Sequence, residues 1–209
     1  MDFEEIRREF GYSYEKDFEA TKLMASILPE NTEELWKEIE SIVRGRDVCV
    51  LGPKNWRIEN IFHPLIVADD AIARVLEYKI HPEIWITDLD FDQRNIPKIP
   101  EKTIVVVHAH GDNMTAIKKY VSEFKRFVAT CQTEDYGGVR NIGGFTDGDR
   151  GVSLACKMGA RRIILVGFDF ENPVEKEGKN SNIKRKKLYW AKKIIEELRE
   201  RCKIEIVRD

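Results

Sequence analysis

The sequence predicts an α/β fold: a mostly parallel sheet flanked by helices, with an N-terminal helical extension. Three observations carry this. From Asp47 onward, short apolar runs recur at 48–51, 65–68, 84–87, 104–108, 127–129, 163–168 and 204–207. Several are apolar at nearly every position, as expected for strands covered on both faces. Stretches with helical apolar spacing alternate with them, the pattern of strand–helix units in a parallel sheet.

Each element has its own local reason. The region up to Arg44 is charged and helical, and between Thr32 and Val43 the residues Leu35, Ile39, Ile42 and Val43 recur at helical spacing, with Thr32 as the expected cap. No flexible linker follows, so 1–45 is read as an extension packed on an α/β domain spanning 46–209. Between the strands, Met114, Ile117, Val121 and Phe124 form one stripe, and Val152, Ala155, Cys156 and Gly159 another. Leu188, Ala191, Ile194, Ile195 and Leu198 line the last long helix. The loop-like stretches are 93–102 and 171–181.

Composition narrows the function classes. A chain of 209 residues supports one well-buried domain. The net charge of -2 argues against a large basic nucleic-acid footprint. No apolar run approaches the ~20 residues of a membrane span, and the acidic stretch at 1–9 does not resemble a signal peptide. Cys49, Cys131, Cys156 and Cys202 form no CxxC pair and three lie in apolar contexts, so the expectation is three buried thiols, no cysteine zinc site, no disulfide framework and a reducing, cytoplasmic setting.

The functional signal lies where the carboxylates fall. Asp69 and Asp70 follow the run at 65–68, Asp88 and Asp90 the run at 84–87, Asp112 the run ending near His108, and Asp169 closes the run at 163–168. The carboxyl ends of strands in an open parallel sheet line the ligand crevice, so these groups can converge. A single aspartate in such a place is usually a helix cap, and that is the reading for Asp70. An extended chain through Asp88-Leu89-Asp90 puts the two carboxylates on one side. Like charges held that close call for a cation, and an all-oxygen set suits Mg²⁺.

Other motifs are weighed against plainer explanations. Gly52-Pro53-Lys54-Asn55 after the first strand is either a phosphate-approaching loop or an ordinary turn. His108-Ala109-His110-Gly111-Asp112 has the HxHxD form of a zinc hydrolase, but no histidine follows His110. The histidines are therefore expected to orient loops or touch phosphate. In Asn141-Ile142-Gly143-Gly144-Phe145-Thr146-Asp147-Gly148-Asp149-Arg150, Thr146 and Asp149 fit a capping box, which leaves the Gly-Gly pair unexplained. Lys184, Arg185, Lys186 and Lys187 open the last helix, chiefly as a solvated face.

Together and in this order, Val67-Ala68-Asp69-Asp70-Ala71, Ile86-Thr87-Asp88-Leu89-Asp90, His108-Ala109-His110-Gly111-Asp112-Asn113, the segment 143–150 and Leu165-Val166-Gly167-Phe168-Asp169-Phe170 resemble the archaeal 6-hydroxymethyl-7,8-dihydropterin pyrophosphokinase family, itself similar to thiamine pyrophosphokinases. The resemblance implies ATP- and Mg²⁺-dependent diphosphate transfer to a reduced pterin alcohol, with release of AMP, in folate or methanopterin biosynthesis. It assigns metal binding to Asp88 and Asp90, with Asp112 beside them and Asp69 close by; Asp69 and Asp112 are the candidates for a base. Gly52, Lys54, Asn55, His110 and Asn113 are expected on the nucleotide, and Gln132, Asn141, Phe145 and Asp147 on the pterin. A homo-oligomer is compatible with the sequence. The alternatives are a glycosyltransferase-like enzyme using Asp88-Leu89-Asp90 as a DxD motif on a nucleotide sugar, and a non-catalytic nucleotide-binding protein.

Overall fold

The computed structural model describes residues 3–172 and 181–207. Seven strands form one all-parallel sheet: β1 (Asp47–Leu51), β2 (Leu65–Ala68), β3 (Ile84–Thr87), β4 (Ile104–His108), β5 (Phe127–Thr130), β6 (Arg162–Val166) and β7 (Ile204–Ile206). Their order across the sheet is β5-β4-β3-β2-β1-β6-β7. The chain builds outward from β1 to β5, then returns to lay β6 on the other side of β1. The direction of winding therefore reverses between β1 and β6, and a crevice opens at the carboxyl ends of the strands there.

Both faces of the sheet are covered, which accounts for the unbroken apolar runs. Side chains alternate along each strand. On β1, Val48 and Val50 join one core with Leu35, Trp36, Ile39, Val152, Leu154 and Ile194. Cys49 and Leu51 join the other with Ala20, Met24, Ile72, Val75 and Ile117. Helices α3 (Thr32–Val43), α6 (Asp147–Lys157) and α7 (Ser181–Leu198) thus cover one face, and α2 (Tyr14–Ala25), α4 (Ala71–Glu77) and α5 (Met114–Tyr120) the other. The N-terminal helices, with α1 (Phe3–Phe10), contribute to both cores. Among the described residues, no helix is long and apolar enough to cross a membrane.

Several boundaries differ from expectation for identifiable reasons. β6 stops at Val166 because Gly167 turns the chain with φ +70°. The helix expected to run on to Phe124 ends at Tyr120 and tightens into a 3₁₀ turn, Val121–Glu123. Asn31, one residue earlier than expected, occupies the cap of α3, and the Thr32 hydroxyl donates to the Pro29 carbonyl. Of the loop expected at 171–181, residues 173–180 lie outside the described residues.

The expectation of no disulfide is corrected: Cys156 on α6 and Cys202 just before β7 form one. Forty-six residues separate them in sequence, but their Cα atoms lie 5.8 Å apart, inside disulfide range. Cysteine usage therefore no longer argues for a reducing compartment. Cys49 and Cys131 are buried free thiols, and burial pushes Cys49 up to about 11.

At the reversal point the turns after β1 and β6 touch backbone to backbone. The Gly52 N–H donates to the Val166 carbonyl (2.8 Å) and the Lys54 N–H to the Gly167 carbonyl (3.0 Å). A Cβ on Gly52 would sit 2.6 Å from the Gly167 oxygen. The glycine is thus explained by this contact between two turns. Gly52→Ala should cost about 1–3 kcal/mol, as overpacking does, and lower the midpoint of urea unfolding. An unchanged midpoint would show that the two turns can part freely.

Candidate functional site

The carboxyl ends of the strands on both sides of β1, the start of α6 and the last helix enclose a cleft of about 470 Å³. Asp69 enters it from a left-handed turn after β2 (φ +44°), with its N–H bonded to the Ile86 carbonyl and its own carbonyl accepting from Trp85 Nε1 (3.1 Å). Asp88 follows β3. Its backbone N–H donates to Asp147 Oδ2 at 3.3 Å, tying the strand end to α6. Asp69, Asp88 and Asp147 each offer a carboxylate oxygen, and these oxygens all lie within 4.8 Å of one another.

The electrostatics follow from that closeness. Burial, then the charge of Asp88, pushes Asp147 upward against the pull of Arg150. Burial also works against the charge on Asp88, but His110, the Asp90 N–H and Arg150 outweigh it and hold Asp88 below the usual carboxylate range. The negative charge is therefore carried chiefly by Asp88, while Asp147 is the carboxyl that resists ionising. Two like charges so close are the circumstance that a divalent cation relieves.

Asp88-Leu89-Asp90 does not stay extended. Leu89 is buried in the core with φ +71°, its N–H bonded to Thr87 Oγ1, and the Asp90 N–H turns back onto Asp88 Oδ1 (3.0 Å). Burial of Leu89 thus swings Asp90 outward. Asp90 and Asp112 line the cleft but stand outside the three-carboxylate group, whose third member is Asp147. Asp169 also lines the cleft and spends its carboxylate on the N–H groups of Glu171 and Asn172. Asp70 holds the cap position of α4 without a side-chain cap bond.

The remaining residues divide similarly. Lys54, His110, Gln132 and Phe145 line the cleft; Gly52, Asn55, Asn113 and Asn141 do not. Asn113 is a clamp: its amide donates to the carbonyls of Asp88 (2.8 Å) and His108 (2.7 Å), fixing the ends of β3 and β4 together. Asn141 uses its side chain on Thr133 and Gly143. His110 accepts from the Asp112 N–H and sets Nε2 3.8 Å from Asp88.

The loop before α6 is built around Asp149 and Arg150. The buried Asp149 carboxylate accepts from the N–H groups of Phe145 (2.5 Å) and Thr146 (2.8 Å), so the expected capping box is present. Arg150, also buried, bonds Asp147 Oδ1 (2.9 Å) and the Phe145 carbonyl (3.0 Å). Gly144, at φ +81°, lies so close to Arg150 that a Cβ there would meet its Cα at 2.4 Å. That approach explains Gly144, and Gly143 is held by its own left-handed backbone, φ +79°.

Sequence reasoning missed Tyr12 and Asp17 on the cleft, and no motif marks them, because they belong to the N-terminal region, Tyr12 between α1 and α2 and Asp17 on α2. Phe168 and Phe170, whose rings lie 5.8 Å apart, add an aromatic wall, and Lys184 and Lys187 bring the last helix to the rim.

His108 is buried, with Nδ1 3.0 Å from Thr130 Oγ1. Burial, then the charges of Arg150 and His110, holds its imidazole well below the ordinary histidine range; Gln132 pulls the other way. The unfolded chain takes up this proton near pH ~6.5 and the folded chain only at lower pH. The resulting stability is therefore complete above about pH 6.5 and is lost as pH falls below it. The unfolding midpoint of His108→Asn should depend less on pH than that of the wild type between about pH 7 and 5. Parallel curves would mean that His108 titrates alike in both states.

Comparison with known proteins adds the family. Residues 58–175, more than half of the chain, match the family described as 6-hydroxymethylpterin diphosphokinase MptE-like. A protein of Pyrococcus furiosus named 6-hydroxymethyl-7,8-dihydropterin pyrophosphokinase is 39% identical, over 98% of this chain and 94% of its own. Its namesakes from Methanocaldococcus jannaschii and Methanothermobacter thermautotrophicus are 35% and 32% identical, over 99% and 97% of this chain and 96% and 94% of theirs. Among solved structures, the MAf glycosyltransferase of Magnetospirillum magneticum AMB-1 matches 85% of this chain and 38% of its own, with a TM-score of 0.50 and 10% identity, a likeness of fold alone. On identity and coverage, the chain belongs to the MptE-like 6-hydroxymethylpterin diphosphokinase family.

Proposed function

We propose that this protein transfers the terminal diphosphate of ATP to the hydroxymethyl group of 6-hydroxymethyl-7,8-dihydropterin, with Mg²⁺ held by Asp69, Asp88 and Asp147, and releases AMP. The names of its relatives supply the reaction class. The observation that carries the reading is the group of three carboxylates on one cleft, its oxygens within 4.8 Å of one another. An all-oxygen set of this size fits Mg²⁺, which keeps several waters and bridges to phosphate. The polyanionic phosphate chain of ATP also needs positive charge between itself and three carboxylates.

In this reaction the alcohol oxygen of the substrate attacks the β-phosphorus. The bond from that phosphorus to the oxygen bridging to the α-phosphate breaks, AMP departs, and the hydroxyl proton is lost. When bound, Mg²⁺ supplies charge neutralisation and a template for the phosphate oxygens. The protein's own work is placement. Asp88 is fixed by the Asp147 and Asn113 contacts to its backbone. Arg150 holds Asp147 from behind. Lys54, Lys184 and Lys187 bring positive charge to the cleft rim, where phosphates can meet it. Phe145 and Tyr12, ring centres 6.3 Å apart, offer an apolar wall for a flat heterocycle.

Incubation with Mg²⁺-ATP and the dihydropterin alcohol should yield AMP and a pterin diphosphate; ADP as the nucleotide product would replace this reading with that of an ordinary kinase. The geometry also separates the aspartates. Asp88→Asn and Asp147→Asn should each lower kcat on the order of a hundredfold or more and weaken Mn²⁺ binding followed by electron paramagnetic resonance. Asp90→Asn, outside the group, should keep most of the Mn²⁺ affinity. The opposite ranking of Asp90 and Asp147 would return the metal to the DxD pair.

A further inference from the structure

Beside the acidic group lies a second set of buried polar side chains that phosphate transfer does not use, three of them on the cleft and Arg7 behind them. Arg7, Asp17, His108 and Gln132 are 7%, 3%, 2% and 8% exposed, and they come from α1, α2, β4 and the residues after β5. Burying so many polar groups is costly unless they are paired. Most are. Asp17 accepts from the Gly111 N–H (2.9 Å) and from Gln132 Nε2 (2.7 Å), and Arg7 donates to the Gln132 carbonyl (2.5 Å) while its Nε stands 3.7 Å from Asp17. The Gln132 amide nitrogen faces Asp17, and the same side chain lines the cleft beside His108. His108 also lines the cleft, and its buried Nε2 has no hydrogen-bond partner.

We propose that His108 and Gln132 form the subsite that reads the amino-oxo edge of the substrate's heterocycle, and that Asp17 and Arg7 of the N-terminal helices are the positioning residues that orient Gln132. The inference rests on the functional reading above and deepens it. A 2-amino-4-oxo pyrimidine edge presents adjacent N–H donors and a carbonyl acceptor. Gln132 Oε1 meets a donor. The neutral imidazole takes the complementary role, with Nδ1 committed to Thr130. The spacing suits a fused bicyclic ring: the His108 and His110 rings lie 6.0 Å apart, and His110 reaches Asp88 at 3.8 Å. A ligand whose edge rests on His108 and Gln132 can therefore extend its alcohol toward the carboxylates.

The test is calorimetric titration of the full chain with 6-hydroxymethyl-7,8-dihydropterin, with its deaminated 2-oxo analogue and with Mg²⁺-ATP, alongside melting curves. Wild-type protein should prefer the amino compound. Gln132→Leu and Asp17→Asn should each weaken its binding about tenfold or more, the effect of one unpaired buried group. They should also reduce the preference over the deaminated analogue and leave Mg²⁺-ATP affinity unchanged. Loss of selectivity distinguishes recognition from a general structural defect. His108→Asn provides the same selectivity readout should either variant fail to fold. Folded variants that discriminate the two heterocycles as well as wild type does would overturn this inference alone. Wild-type protein that binds neither heterocycle would overturn the functional reading and this subsite with it.

Discussion

Mutual repulsion among Asp69, Asp88 and Asp147 is the constraint around which the site is built. Three carboxylates whose oxygens approach within 4.8 Å oppose folding unless the surroundings hold and partly neutralise them. The restraints are specific. A left-handed backbone turn sets Asp69, an Asn113 clamp joins the ends of β3 and β4, and the buried Arg150 binds Asp147. Breaking a buried pair such as Arg150–Asp147 leaves an uncompensated charge, so each partner depends on the other. The carboxyl with the raised affinity for its proton, Asp147, is also the one whose charge Arg150 balances.

That arrangement explains why the segment before α6 is so constrained. Gly144 must lie against the Arg150 backbone, Asp149 must collect the N–H groups of Phe145 and Thr146, and Gly148 packs so near Phe168 that a Cβ would meet its ring at 2.9 Å. Capping of a helix and assembly of the acidic group are therefore the same piece of structure. A loop that only started a helix would need the Thr146–Asp149 pair; the glycines and the arginine answer to the site.

The N-terminal helices have a part in the site as well as in the cores. Asp17 pins the Gly111 turn, which follows His110 and precedes Asp112, and grips the Gln132 amide. Tyr12 stands beside Phe145. Composition marks this region only as charged and helical, yet Asp17 and Arg7 are among its buried residues. Their burial follows from partners more than ninety residues away in sequence.

The sequence by itself determined the α/β class, the strands from β1 to β5 within a residue, the carboxylates at the strand ends and the capping box at Thr146. These rest on periodicity and short-range chemistry, which a linear reading contains. It also carried motifs specific enough to indicate the family. Tertiary structure alone decided which carboxylates meet. Asp90 leaves the group because Leu89 seeks the core, and Asp147 enters it because the start of α6 lies against the end of β3. The same holds for Gly52, whose neighbour Gly167 follows the adjacent strand β6 more than a hundred residues later in the chain, for the Cys156–Cys202 bridge, and for Asp17 at Gln132. Each depends on contacts between distant segments, and such contacts exist only once the sheet has set its strand order.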